Sequence, residues 1–341
     1  MRIYSAFVLF CLLLLTACTP EEQTTPFQVT LPSTQRAAAL ATAVPTTARP
    51  PTDTPTPTPT ATLTLTLTDT LTPTSTFTPS PVPTLARVEH FYFGRPISRN
   101  GTDYIDRNYP YGSTQLGRYP VHSGVEFQNR RGTPVMAIGD GEVFYAGTDA
   151  ERQFGPRLNY YGNLVVIQHD VPTPEGEPIF SVYAHLDRMD VATGDTVEQG
   201  DRVGMVGDTG IAIGPHLHFE IRVGDPEDFY STRNPEMWMY PYPSFGMIAG
   251  KVTDSSGRML RDIQVKVRSL SSSANWYAYS YEGEEATPDF LWGENFTLSD
   301  LPEGSYQVVV SDENGKRLFE QDVSVIPNRI AWVEITLDRI P

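Results

Sequence analysis

The chain has almost no cysteine, no glycine in its first quarter and no surplus of positive charge, and each shortage narrows what it can be. Its two cysteines are Cys11 and Cys18, so everything after residue 18 lacks a thiol. Disulfides are thereby excluded from the folded part, and a metal there would have to be held by histidine and carboxylate. All 26 glycines follow Phe93, whereas 13 of the 30 prolines fall between Thr19 and Arg87. Tight turns favour glycine, so compact structure is predicted to begin near residue 88. The 25 basic residues are outnumbered by 41 acidic ones, giving a formal charge of −16. Phosphate backbones are gripped by lysine and arginine, which argues against nucleic acid as a partner. No glycine-rich phosphate loop and no G-x-S-x-G elbow occurs, so nucleotide and serine-nucleophile chemistry have little support.

What is present begins with a leader. Met1 to Ala17 carries one positive charge at Arg2, an apolar run from Ala6 to Leu15, and small residues before a cysteine. The run is too short for a comfortable membrane span and fits an export signal. Leu15-Thr16-Ala17-Cys18 resembles the bacterial lipobox, which implies cleavage before Cys18, acylation of that residue, and a lipid anchor at the cell membrane facing the wall. Residues 18–87 are dominated by Thr, Pro, Ser and Ala and cannot bury enough apolar surface to offset backbone entropy. They read as a disordered stalk that, if largely polyproline-like, would reach on the order of 200 Å.

Residues 88–120, rich in Tyr, Phe, Arg and Asn, show no strong period and read as an irregular lead-in beside a groove. From Val121 the pattern changes to short runs rich in Val, Ile, Tyr and Phe, closely divided by Gly and Asp. That spacing predicts an antiparallel all-β domain over 121–246, its last part a Pro- and aromatic-rich connector. Gly139-Asp140-Gly141 is predicted to be a hairpin turn. Residues 247–341 alternate again, with DSSG, PEG and ENG turns, as expected of a small β-sandwich. The stretches G-K-V-T-D-x-x-G and F-T-L-x-D-L-P-E-G-S-Y-Q-V resemble the carboxypeptidase regulatory-like, transthyretin-like modules.

The chemistry concentrates in Gly204–Glu220, which ends in His216-Leu217-His218-Phe219-Glu220. In a strand side chains repeat with period two, so His216 and His218 face one cavity while Leu217 points into the core. His122 and Glu126 are evenly spaced and would also share a face if extended, and His185 lies between the two elements. His122, a carboxylate four residues on and one histidine of the pair would make a zinc site with one position open to water. The remaining histidines would handle protons and stabilise an oxyanion.

These motifs carry a resemblance. H-x-x-x-(D/E), G-T-P-V-x-A, Y-G-N-x-V-x-I-x-H, Y-x-H-L and T-G-x-x-x-G-P-H-L-H-F-E occur in order over residues 121–223, which resemble the lysostaphin-like, LytM-type zinc metallopeptidases that cut peptidoglycan peptides. The resemblance implies zinc on His122, Glu126 and His218, with His185 and His216 as the catalytic histidines. It implies a zinc endopeptidase acting on stem or cross-bridge peptides at the cell envelope. Glu126 stands where the family usually has aspartate, and the alternative is a metal-poor module that binds peptidoglycan or regulates another hydrolase. His169 is expected to be structural or to support the site from behind, His90 to be packed or at the surface, Tyr183 to pack on the sheet, and Gly162-Asn163 to form a turn.

Overall fold

The computed structural model describes residues 87–338, so the leader, Cys18 and the predicted stalk lie outside the described residues. The described residues are 42% strand and 2% helical, and the all-β expectation holds. The strands in order are β1 (Val125–Gln128), β2 (Pro134–Met136), β3 (Gly141–Thr148), β4 (Asn163–His169) and β5 (Ile179–Ala184). They are followed by β6 (Leu186–Met189), β7 (Thr196–Val197), β8 (Arg202–Val206), β9 (His216–Val223) and β10 (Thr232–Arg233). Seven of these form one sheet in the order β1-β9-β5-β4-β3-β7, with β10 also on β9, and β2-β8-β6 form a second, smaller sheet.

The predicted hairpin at Gly139–Gly141 is not one. β2 pairs with β8 in the small sheet, whereas β3 pairs with β4 and β7 in the large one. The glycines mark a change of direction, but the partners are chosen by burial. Ala137 and Ile138 are drawn fully into the core, where the Ile138 backbone N–H donates to the Tyr183 hydroxyl at 3.0 Å.

Beyond the connector run β11 (Phe245–Asp254), β12 (Gln264–Ser269), β13 (Asn275–Tyr279), β14 (Phe296–Pro302), β15 (Gly304–Ser311), β16 (Arg317–Val325) and β17 (Ile330–Leu337). They make a three-stranded sheet, β14-β11-β17, and a four-stranded sheet, β13-β12-β15-β16. A core of Ile248, Val252, Val265, Val308, Val333 and Ile335 is shared by strands of both. Among the strand ladders of the described residues only β11–β17 is parallel, which a long connection permits and a tight turn does not.

The lead-in has no extended strand, yet its Phe91, Phe93, Ile97 and Ile105 are buried in the same core as Val125, Phe219, Trp238, Met247 and Trp292. An irregular segment keeps its place here because its aromatics bury large apolar areas, each worth about 1.5–3 kcal/mol when removed from water.

Candidate metal centre

β9 lies between β1 and β5, and its side chains from His216 to Arg222 are all buried. Alternation sends Leu217, Phe219 and Ile221 into the main core and sets His216, His218, Glu220 and Arg222 on the opposite face. In the antiparallel β1–β9 ladder Glu126 stands opposite His218, and paired residues share a face. Register alone therefore brings the carboxylate to the imidazole.

His122 arrives by another route. The chain is not extended from His122 to Glu126 but bends at Ser123 and Gly124 before β1 begins. The bend presses on β9: a Cβ on Gly124 would lie 2.5 Å from the Phe219 carbonyl oxygen and 2.9 Å from His218 Nε2, so only glycine fits. His122 Nε2 then lies 3.1 Å from Glu126 Oε1 and 3.2 Å from His218 Nδ1, and that nitrogen is 3.4 Å from the same oxygen. Ligands at tetrahedral angles on bonds of about 2.0–2.1 Å would be separated by about 3.3 Å. The donor set fits a metal ion.

Charge balance points the same way. Glu126 and Glu220 are both buried, and the one arginine among them, Arg222, is paired with Glu220 at 2.7 Å. Burial works against the Glu126 carboxylate, but hydrogen bonds from His122, His216 and His218 hold its pKa well below the ordinary value. Burial likewise opposes a charged His218, yet Glu126 and Glu220 outweigh it and raise its pKa to about 9. The pocket therefore draws in one positive charge, either a proton on His218 or a metal in its place. His218 Nε2 lies 2.9 Å from Glu220 Oε1, so its hydrogen goes to that carboxylate and Nδ1, once a metal displaces its proton, turns its lone pair to the cluster.

Glu220 is in turn fixed by donors. Ser123 Oγ at 2.6 Å and the Tyr161 hydroxyl both donate to Oε1, and Arg222 Nε donates to Oε2 at 2.8 Å. The sequence reading did not single out Glu220, although the period that placed His218 places it too. A second residue it did not single out is Tyr109, from the lead-in, whose ring lies on that of His122 at 4.1 Å and 7°.

His185 and His216 complete the arrangement. His185 follows Ala184, whose partner is His218, so strict alternation would point it away from the site. Its φ of 60° puts it in the left-handed region and turns the side chain back, with ring centroids 4.9 Å from His216 and 5.7 Å from His218. Its Nδ1–H donates to the Thr209 carbonyl at 2.8 Å, leaving Nε2 with the lone pair. Burial, then His218 and His216, lower its pKa to about 3, so it is neutral at pH 7. His216 Nδ1–H donates to the Gly214 carbonyl at 2.9 Å. Its Nε2 is 2.7 Å from Glu126 Oε2. The longer glutamate thus keeps one oxygen among the three donors and presents the other to His216.

The other histidines stand apart. His169 Nε2 is 2.8 Å from Ser181 Oγ, its ring packs on Phe93, and burial lowers its pKa to about 4. His90 is packed on Trp238, its Nε2 2.9 Å from Asp289 Oδ2. Tyr183 is fully buried in the sheet, and Asn163 donates from Nδ2 to the Leu186 carbonyl at 3.0 Å.

Residues 120–229 match peptidase family M23. The chain carries an M23 peptidase domain. Its relatives include an uncharacterised metalloprotease of Haemophilus influenzae, 36% identical over 135 residues, 40% of this chain and 24% of that protein. The peptidoglycan DD-endopeptidase ShyA of Vibrio cholerae is 38% identical over 106 residues, 31% of this chain and 21% of that protein. The chain thus spans less than a quarter of either relative. Among solved structures, a zinc-containing peptidase from Vibrio cholerae is 30% identical, with 38% of this chain and 36% of that chain covered and a TM-score of 0.31. The M23 match ends before β10 and leaves the two C-terminal sheets outside it.

Proposed function

We propose that the M23 domain is a zinc endopeptidase that hydrolyses peptide bonds of peptidoglycan stem or cross-bridge peptides. The observation that carries this reading is the trio of His122 Nε2, Glu126 Oε1 and His218 Nδ1, 3.1–3.4 Å apart, with two further imidazoles beside it. A zinc ion held by the three would supply Lewis acidity and lower the pKa of a water towards about 7. The chain's own groups do the rest. The Thr209 carbonyl fixes the His185 tautomer so that Nε2, neutral at pH 7, is available to take a proton or, once protonated, to donate one. The Gly214 carbonyl holds His216 beside Glu126, where its imidazole would stand next to a carbonyl oxygen on which charge develops. Burial of all five side chains keeps water from competing with these contacts.

Lipid anchoring through Cys18 and a location facing the wall belong to the same proposal. They rest on the lipobox resemblance and on the Thr- and Pro-rich composition of residues 18–87.

Elemental analysis of the purified chain is expected to find about one zinc per molecule, lost in His122→Ala, and the zinc-loaded protein to release peptides from peptidoglycan. Near-zero zinc after reconstitution, or intact peptidoglycan, would overturn the proposal.

Loading also has a pH signature. Below about pH 9 the metal-free protein holds a proton on His218 that a metal must displace, so apparent affinity rises by up to about tenfold per pH unit towards that value and then levels off. Calorimetric titration at pH 7 in buffers of different ionisation enthalpy should report about one proton released. Release of none would contradict the charge balance drawn above.

A further inference from the structure

A groove of about 710 Å³ opens beside the metal centre, between the lead-in and the turn that joins β1 to β2. It meets the site at two points. Gln128, on its wall, is the register partner of His216, and Pro215, also on its wall, precedes that histidine in the chain. A peptide lying across His216 would run into it.

The lining is unusual for a chain with 41 acidic and 25 basic residues, because no carboxylate belongs to it. The polar side chains are amides, hydroxyls and two guanidinium groups, Arg130 and Arg131. These cations are not equivalent. Arg131 is paired through its two terminal nitrogens with Asp187 and Asp208, so its charge is spent within the protein. Arg130 is exposed and has no side-chain hydrogen bond or ion pair among the described residues. The lead-in is tied to this turn: Asn129 accepts from the Thr102 backbone N–H and donates to the Thr102 carbonyl, both at 2.9 Å. A groove without a carboxylate in its lining and with one unspent guanidinium matches an anionic ligand of planar, bidentate geometry.

We propose that this groove is a specificity subsite in which Arg130 receives a carboxylate of the substrate peptide, so that the enzyme distinguishes acidic stem peptides from their carboxamide forms. The inference rests on the reading of the site as a peptidoglycan peptidase and adds which peptides it selects. Arg130 does not touch the reacting atoms; it binds the part of the substrate that extends past His216. Because the guanidinium is exposed, the preference is modest and falls as salt rises.

The test uses two synthetic stem peptides that differ only in a free carboxylate or a carboxamide beside the scissile bond. Cleavage by the zinc-loaded full chain and calorimetric binding to its His185→Ala form are both measured. The expected result is a kcat/KM about two- to fivefold higher for the acid, carried mainly by KM, and a matching difference in Kd. Arg130→Gln should erase the preference, Arg130→Lys should keep part of it, and 0.5 M salt should shrink it. Equal cleavage and binding of the two peptides, or a preference unchanged in Arg130→Gln, overturns the subsite while leaving the peptidase reading intact. If neither peptide is cut or bound, both readings fall.

Discussion

His185→Ala should lower turnover of peptidoglycan peptides by about two to four orders of magnitude while the protein keeps its metal. The split between activity and occupancy follows from where this imidazole sits. It is not one of the three donors spaced for a metal, and its ring nitrogen Nδ1 is committed to the Thr209 carbonyl. Only Nε2 remains for chemistry, and burial with two histidine neighbours keeps it unprotonated at neutral pH. Removing the ring takes away that group but leaves His122, Glu126 and His218 in place. The comparison variant is His218→Ala, which should lose metal and activity together. Metal analysis beside kinetics separates the cases: full activity in His185→Ala would sink the assigned role, and loss of its metal would make the residue a ligand instead. His185 also makes the fold sensitive to acid. Its pKa is about 3 in the folded chain against 6.5 when unperturbed, so between those values the unfolded chain binds the extra proton and stability falls as pH drops. His185→Ala should be flatter over that window.

The second large effect is expected at Glu220, which touches no metal in the proposed site. Glu220→Gln should weaken metal binding by about 10–100-fold and cost the fold about 3–5 kcal/mol. The first follows because the carboxylate fixes the tautomer and orientation of His218; an amide could present its NH₂ to Nε2 and turn the wrong nitrogen to the cluster. The second follows because Arg222 is fully buried and its carboxylate partner would be gone. Carbonyls of Phe154 and Pro226 and the Tyr161 hydroxyl would still accept from the guanidinium, but none of them cancels its charge. Burial alone would raise the Glu220 pKa, yet Arg222, His218 and Ser123 drive it far down, so the contribution is present above about pH 4.5 and is lost only as pH falls through the depressed value. The share of the deficit that runs through Arg222 should therefore be constant across neutral pH, whereas the share that runs through His218 is full below about pH 6.5 and fades as pH rises through about 9. Thermal denaturation of metal-free protein should show a Tm lower by on the order of 10 °C. A Tm and a metal Kd equal to those of the parent would show that the buried pair and its hydrogen bond to His218 carry neither effect.

The M23 match covers residues 120–229, yet what surrounds the site comes partly from outside it. Tyr109 lies on His122, and Asn100 and Thr102 form a wall of the groove beside His216, all three from the lead-in. Those residues give the cleft an edge that the short sequence motifs do not describe.

The sequence by itself determined the all-β class and pointed to the histidines and carboxylate of the candidate site, because both depend on local pattern. Closely spaced glycine and aspartate turns leave room only for short strands. Period two on β9 puts His216 and His218 on one face, and the same rule reaches Glu220 and Arg222. The shortage of cysteine had already restricted any metal to histidine and carboxylate.

Only the tertiary structure decided how those residues meet. Glu126 reaches His218 through a register between strands about ninety residues apart, and His122 joins them through a bend that depends on Gly124 pressing against β9. His185 faces the site against its own alternation, since its backbone turns left-handed where β5 ends. The Gly139–Gly141 segment, a hairpin by its local signal, instead crosses between two sheets. Each of these outcomes is a choice between locally acceptable conformations, and the choice is made by burial and strand pairing with distant parts of the chain, whose free energies exceed the local preferences that a sequence displays.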